Sequence, residues 1–183
     1  TQPEGDAFGT VQVGDDSFDS CDVSYGGTIT IPETVENEGA TYTVTAVGQN
    51  AFSTMLGGSS PGSVSLPKTV TTIGKNAFYE CSSLTSITFA EGSVLSSIES
   101  GAFDSCRALS TLSLPSSLTT IGEGAFKYCV SLDSVELGGL VSLGASAFSG
   151  CTKLSSVTLP ASLTTMGERS FGDCSKLQRI TVA

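Results

Sequence analysis

The sequence has no histidine and no tryptophan, and only eight lysine and arginine residues against eighteen acidic ones. Each shortage closes off a class of function. Without histidine there is no Ser-His-Asp or Cys-His nucleophilic machinery. The six cysteines include no C-x-x-C pair, so a zinc site has little to stand on. Residues 1–67 carry nine acidic residues and no base, while residues 68–183 carry the other nine acids and all eight bases. The net charge is -10, and no basic stripe exists to meet phosphate. Nucleic acid is excluded on that ground, and an anionic membrane surface for the same reason. No apolar run approaches the roughly 20 residues that would span a bilayer. No signal peptide is recognisable, and the sequence starts at Thr1, as a mature or trimmed chain would.

What is present suits a folded, β-rich chain. Hydrophobic residues make up 39% and charged residues 14%, too apolar and too weakly charged for disorder. Gly, Ser and Thr are abundant and strong helix formers sparse, which favours strands and tight turns.

The dominant signal is internal repetition. RALSTLSLPSSLTTIGEGAFKYC (107–129) is echoed by TKLSSVTLPASLTTMGERSFGDC (152–174), with VSLDSVELGGLVSLGASAFSGC (130–151) between them. SSLTSITFAEGSVLSSIESGAFDSC (82–106) and the partial unit SVSLPKTVTTIGKNAFYEC (63–81) precede, and SKLQRITVA (175–183) opens another. Phe52, Phe78, Phe103, Phe126, Phe148 and Phe171 follow one another at steps of 26, 25, 23, 22 and 23 residues. Cys81, Cys106, Cys129, Cys151 and Cys174 each lie three residues beyond a phenylalanine, and Met55 takes that place after Phe52.

One unit can be read physically. Leu109, Leu112 and Leu114 form an L-x-x-L-x-L run whose last two leucines alternate as strand residues do. Pro115 ends the strand, since it donates no ladder hydrogen bond. Leu118 and Ile121 return to the core, Gly122 supplies a turn that other residues resist, and Ala125 and Phe126 begin a tight, helical turn. A single coil cannot bury its apolar edge, so coils must stack. Strands starting near Leu84, Leu109, Leu132, Leu154 and Leu177 are expected to pair in parallel, about 4.8 Å apart, in an array about 25–30 Å long.

The pattern L-x-x-I-x-L-P-x-x-L-x-x-I-G-x-x-A-F-x-x-C resembles the BspA-like subclass of bacterial leucine-rich repeats, over roughly residues 44–183. Residues 25–52 resemble the lead-in to such arrays. The resemblance implies a right-handed leucine-rich-repeat solenoid of the α/β horseshoe class, with one parallel sheet and short helical turns. It also implies a secreted or surface-attached bacterial protein and brings no catalytic constellation with it. Three departures are expected to bulge the outline without breaking the stack: a Gly/Ser loop at 53–62, two extra residues within 90–97, and the missing proline of 130–151.

The alternating runs at 8–13, 28–31 and 41–47 read as strands outside the repeat. A solenoid needs its first coil covered, so residues 1–46 are assigned to a β-rich N-terminal cap and residues 47–183 to five or six repeats of 22–26 residues. No C-terminal cap is visible. Thr181–Ala183 would leave a partly open strand edge unless the natural chain continues.

The five repeat cysteines form a ladder with backbones close enough for disulfides. Their side chains run parallel, and five equivalent positions cannot all pair, so they read as free structural thiols, with Cys21 packed in the cap. Asp15, Asp16, Asp19 and Asp22 could hold calcium but lack EF-hand spacing, and read as a solvated acidic loop. Asp133 and Glu136 do not make a glycosidase pair, because their spacing denies them a shared strand face. No metal or cofactor is expected, and no enzymatic activity.

The outer face of the sheet is the usual binding surface of a curved solenoid. Here its positions are Thr85, Ser86 and Thr88; Ser110, Thr111 and Ser113; Asp133, Ser134 and Glu136; Ser155, Ser156 and Thr158; Gln178, Arg179 and Thr181. Ser and Thr dominate it, and Arg179 alone is of a type that anchors interfaces. The expected function is non-enzymatic binding of a protein or glycan ligand at the cell surface or outside the cell. The alternative is a structural spacer or scaffold within a larger envelope protein.

Overall fold

The computed structural model of the chain describes residues 10–13, 27–54 and 60–183. It is a solenoid in which each coil contributes one strand to a front wall and one to a return wall. The front strands are β2 (Thr28–Thr30), β5 (Ser63–Leu66), β7 (Ser86–Phe89), β9 (Thr111–Leu112), β11 (Ser134–Glu136), β13 (Ser156–Leu159) and β15 (Arg179–Val182). The return strands are β4 (Ala40–Val47), β6 (Thr72–Ile73), β8 (Ser97–Ile98), β10 (Thr120–Ile121), β12 (Ser142–Leu143) and β14 (Thr165–Met166). Equivalent repeat positions pair in parallel along both walls, for example Ser134 with Ser156 and Ser156 with Arg179.

Two expectations require correction. The repeat pattern predicts one parallel sheet, and the described residues form three. The return leg pairs into a continuous ladder of its own, and the front wall divides into β2-β5-β7-β9 and β11-β13-β15. A single bridge between Ser113 and Glu136 joins the two front sheets. The second correction concerns the expected helical turns, since no helix occurs among the described residues. The backbone around each phenylalanine explains this. Two residues before and two residues after it, φ is positive: Asn76 and Glu80, Gly101 and Ser105, Gly124 and Tyr128, Ser146 and Gly150, Arg169 and Asp173. A right-handed helix cannot pass through left-handed residues, so the chain makes successive single turns, as in Tyr79 N–H to Asn76 O and Cys81 N–H to Phe78 O.

Those turns build a third ladder. The N–H groups of Asn76, Phe78 and Glu80 donate to the carbonyls of Ser100, Ala102 and Asp104 in the next coil, at 3.0, 2.7 and 2.8 Å. Gly101, Phe103 and Ser105 do the same to Glu123, Ala125 and Lys127. Left-handed φ at alternate residues turns three N–H groups toward the same neighbour. The strands begin two residues after the leucines at 84, 109, 132, 154 and 177. Each of those leucines still donates its N–H to the cysteine carbonyl three residues back, and so belongs to the turn.

Between the walls lies an apolar column. The six phenylalanine rings stack with centroids 5.0–5.6 Å apart and planes within 4–8°. Such offset pairs add about 0.5–1.5 kcal/mol each beyond burial. The glycine after the return-strand residue has a different purpose from the turn expected of it. Gly74, Gly122, Gly144 and Gly167 are not in left-handed conformation; they are where backbones nearly touch. A Cβ on Gly122 would stand 2.6 Å from Ser100 N and one on Gly74 2.9 Å from Gln49 N, and at Gly144 and Gly167 the approach is closer still.

The five repeat cysteines are free, and Cys81, Cys106, Cys129 and Cys151 are fully buried. They are more than small apolar fillers. Each thiol donates to the carbonyl of the phenylalanine one coil back: Cys81 to Phe52, Cys106 to Phe78, Cys129 to Phe103, Cys151 to Phe126 and Cys174 to Phe148, at 3.0–3.3 Å. From Phe78 to Phe148 that carbonyl also accepts the N–H of its own coil's cysteine, so both lone pairs are used. Burial pushes the Cys81 and Cys151 thiols up to about 12, and those of Cys106 and Cys129 well above their ordinary value. Cys21 and the Asp15–Asp22 cluster lie outside the described residues.

At the start of the array, β3 (Thr34–Asn37) forms a hairpin with β4. Its turn, Glu38-Gly39, has positive φ at both residues, as a two-residue hairpin with the right twist requires. The sequence reading missed this strand. β1 (Thr10–Val13) pairs with β4 in parallel and forms the first strand of the return sheet.

Three outcomes follow for stability, each read by urea denaturation. Gly144→Ala should cost about 1–3 kcal/mol through overpacking. Cys129→Ala should cost about 1–2 kcal/mol, because packing is lost while the Phe103 carbonyl keeps its Cys106 N–H. The raised thiols favour the neutral form in the folded state, so their contribution is complete below the unfolded value of 9.0 and is lost as pH rises toward about 12. Stability should therefore be insensitive to the thiols below pH 9 and fall above it, and less so in C129A. Thiol reagent should find few reactive groups before unfolding and all of them after, without reductant.

Candidate functional site

The front wall places its side chains by simple alternation. In β11 and β13, Val135 and Val157 turn inward and are buried, while Ser134, Glu136, Ser156 and Thr158 face out. Of the fifteen positions expected on this face, fourteen are exposed and Ser86 is half-buried. They do not make one uniform surface. Thr85 to Ser113 lie on the first front sheet and Asp133 to Thr181 on the second, meeting at the Ser113–Glu136 bridge.

Many of the hydroxyls serve the fold. The row just before the strands donates back one coil: Thr85 Oγ1 to Gly62 O at 2.8 Å, Ser110 Oγ to Thr85 O at 3.5 Å, and Ser155 Oγ to Asp133 O at 3.3 Å. Thr88 and Thr181 reach the carbonyls of Val64 and Val157, and Thr158 meets Thr181 at 3.1 Å. The return wall repeats the device, with Thr71, Ser96, Thr119 and Thr164 donating to the preceding coil. Thr111, Ser113, Asp133, Ser134, Glu136, Ser156, Gln178 and Arg179, by contrast, are exposed and have no side-chain hydrogen bond or ion pair among the described residues. These eight are the part of the face left for another molecule.

The sequence reading overlooked the upstream extension of the face. Thr28, Thr30, Ser63 and Ser65 continue it along β2 and β5, with Thr28 Oγ1 2.8 Å from Ser63 Oγ. The signal was available, since SVSLPKTV (63–70) follows the same strand-proline pattern as TLSLPSSL (111–118). A depression beside Gly138, about 310 Å³ in volume, was also overlooked.

Away from the front wall, the turn edge carries Tyr79, Asp104, Lys127 and Tyr128. Partial burial raises the Asp104 carboxyl, while the Ser105 hydroxyl, which donates to it at 2.9 Å, and the Lys127 charge oppose that rise. Burial also raises Tyr79, with the neighbouring Glu80 and Asp104 charges adding to it. Lys127 sits 5.1 Å from the Tyr128 ring centroid. Nothing in this group pairs a nucleophile with a base, and the arrangement offers non-covalent contact only. Asp133 and Glu136 are both exposed, with Asp133 just outside the strand that holds Glu136. Among the described residues no cluster of three or more acidic or cysteine side chains could hold a metal ion, and no helix is long and apolar enough to cross a membrane.

Comparison with known proteins agrees with this geometry. No curated protein matches the chain significantly. Among solved structures, a leucine-rich-repeat protein of T. pallidum (TpLRR) is 30% identical, with a TM-score of 0.75, covering 84% of this chain and 68% of its own. A leucine-rich cell surface protein of Faecalibacterium prausnitzii is 29% identical over 85% of this chain and 47% of its own, with a TM-score of 0.67. The pneumococcal vaccine antigen PcpA is 30% identical over 87% of this chain and 41% of its own, with a TM-score of 0.78. The chain thus spans less than half the length of these last two. A family described as BspA type leucine rich repeat region matches residues 45–178 in six copies, and the chain belongs to that family.

Proposed function

We propose that this chain is a non-enzymatic recognition module, displayed at the bacterial cell surface or outside the cell, that holds a protein or glycan ligand on its front wall. The observation that carries the reading is the set of eight exposed polar side chains without internal partners among the described residues, held along the two parallel front sheets. The likeness to a protein described as a leucine-rich cell surface protein supports the location. Residues 1–46 serve in this reading as the cap of the array. The absence of histidine throughout the sequence argues against acyl-transfer chemistry.

Ser134 and Ser156 are register partners at the centre of the second front sheet. Replacing both with arginine puts two bulky charges on the face without touching the core. Binding to a panel of immobilised extracellular-matrix proteins and to a glycan array is expected for the wild type and for E168R, an exposed control. It should fall at least tenfold in S134R/S156R. Binding that ignores the double substitution, or no binding at all, would favour the spacer reading. A screen of esterase, protease and glycosidase substrates should give no turnover, and turnover abolished by replacing one carboxylate would overturn the non-enzymatic assignment.

A further inference from the structure

The coil of residues 130–151 departs from the repeat at its corner. Where the coils of 107–129 and 152–174 have a strand leucine, a proline and two residues before the next leucine, this one runs Leu137-Gly138-Gly139-Leu140, one residue shorter and without proline. Leu140 N–H closes the corner onto Leu137 O at 2.9 Å, and Gly138 takes φ of 47°. Gly139 is drawn hard against the preceding coil: a Cβ there would stand 2.7 Å from Ser116 O. Beside this corner lies a depression of about 310 Å³ lined by Glu136, Leu137, Gly138, Thr158, Pro160 and Ala183, the last residue of the sequence.

Its chemistry is two-sided. Leu137 and Pro160 are buried apolar walls. At the rim stands the Glu136 carboxylate, exposed and without an ion-pair partner among the described residues, beside the Thr158 hydroxyl. The volume is at the low end for ligand pockets, which run about 300–1,000 Å³. It has room for one long side chain rather than a large ligand. Apolar walls leading to an unpaired carboxylate suit an aliphatic stem that ends in a cation.

We infer that the notch beside Gly138 is a specificity pocket for a basic side chain, lysine or arginine, of a protein ligand lying across the front wall. The inference rests on the front wall being the binding face and names the partner chemistry that face selects. Glu136 accepts from the ammonium or guanidinium, and the stem lies against Pro160 and Leu137.

The test uses the full chain, at 18.6 kDa within reach of amide-resolved NMR. The probe is a seven-residue Ser/Thr peptide with a central arginine, and its control carries citrulline, the neutral isostere. The arginine peptide should shift the amides of residues 136–139 and 158–160 saturably. The citrulline peptide should bind at least tenfold more weakly, and so should the arginine peptide to Glu136→Gln, while E168Q binds as the wild type does. Higher salt should weaken only the charged pair. Glu136 is exposed, so its variant is expected to keep the wild-type melt. No shift at these amides at millimolar peptide, or shifts indifferent to both E136Q and citrulline, would overturn the pocket. The matrix and glycan panel separates this outcome from failure of the face itself. Face-dependent binding without peptide shifts would sink only the pocket, and peptide shifts without face-dependent binding to the panel would sink the broader reading.

Discussion

Everything in this fold answers to the spacing of one coil on the next. The phenylalanine rings stack at 5.0–5.6 Å. The return-leg backbones meet so closely at the Gly122 and Gly144 steps that a methyl group has no room. At such a distance buried N–H and carbonyl groups must find their partners in their own coil or the neighbouring one, because water cannot enter. The chain meets this demand in three separate ladders: the front strands, the return strands and the left-handed turns. The turn ladder constrains sequence most, since it requires positive φ at two positions in each coil. Asn, Gly and Ser hold several of those positions, but Glu80, Tyr128 and Arg169 also adopt them. Cooperative contacts from both neighbouring coils therefore outweigh the local cost of a left-handed side chain.

The cysteine position follows from the same spacing. The carbonyl of each phenylalanine points into a crowded corner and has a second lone pair to fill. A thiol is small, apolar enough for a wholly buried site, and still able to donate. Alanine would leave the lone pair unused. A larger donor would need space that the stacked rings have taken. A position that resembles a redox or metal site in the sequence is thus a packing device, and its burial keeps the thiol protonated and out of reach of oxidants.

The array was legible because its anchors keep phase: leucine, glycine, phenylalanine and cysteine recur at steps that no other architecture explains. Strand alternation around Val135 and Val157 was equally readable, and so was the outward face. Features set by long-range geometry were hidden. The return wall becomes a sheet because two residues per coil, such as Thr120 and Ile121, align with the coils on either side. No local pattern distinguishes such a pair from an ordinary loop. The helical turn expected around Ala125 and Phe126 failed because left-handed φ at a non-glycine such as Tyr128 is imposed by the stack rather than by propensity. Glycine at 122 was correctly marked as special but for the wrong reason, since sequence alone does not separate a required φ from a forbidden Cβ. Among the candidate binding residues, the sequence located the face but could not say which hydroxyls were already committed. Thr85 and Thr111 are both exposed threonines next to or in a front strand, yet only the first donates to the coil behind it.

That distinction bears on how a solenoid of this kind acquires specificity. A perfect repeat produces identical coils, and identical coils present a surface of equivalent hydroxyls with no address on it. Selectivity has to come from the coils that break the pattern. One such break is residues 130–151, which hold the shortened glycine corner, the two acidic residues of the face and the junction where the front wall divides. The coil keeps the register of its neighbours in both walls, although only the Ser113–Glu136 bridge joins the two front sheets. The depression beside Pro160 borders the same corner. The surrounding coils can carry this irregularity because their contacts are local and repeated, so a defect in one wall is held by the two ladders that remain intact. Regular coils supply the stability, and the irregular coil is where the proposed recognition would act.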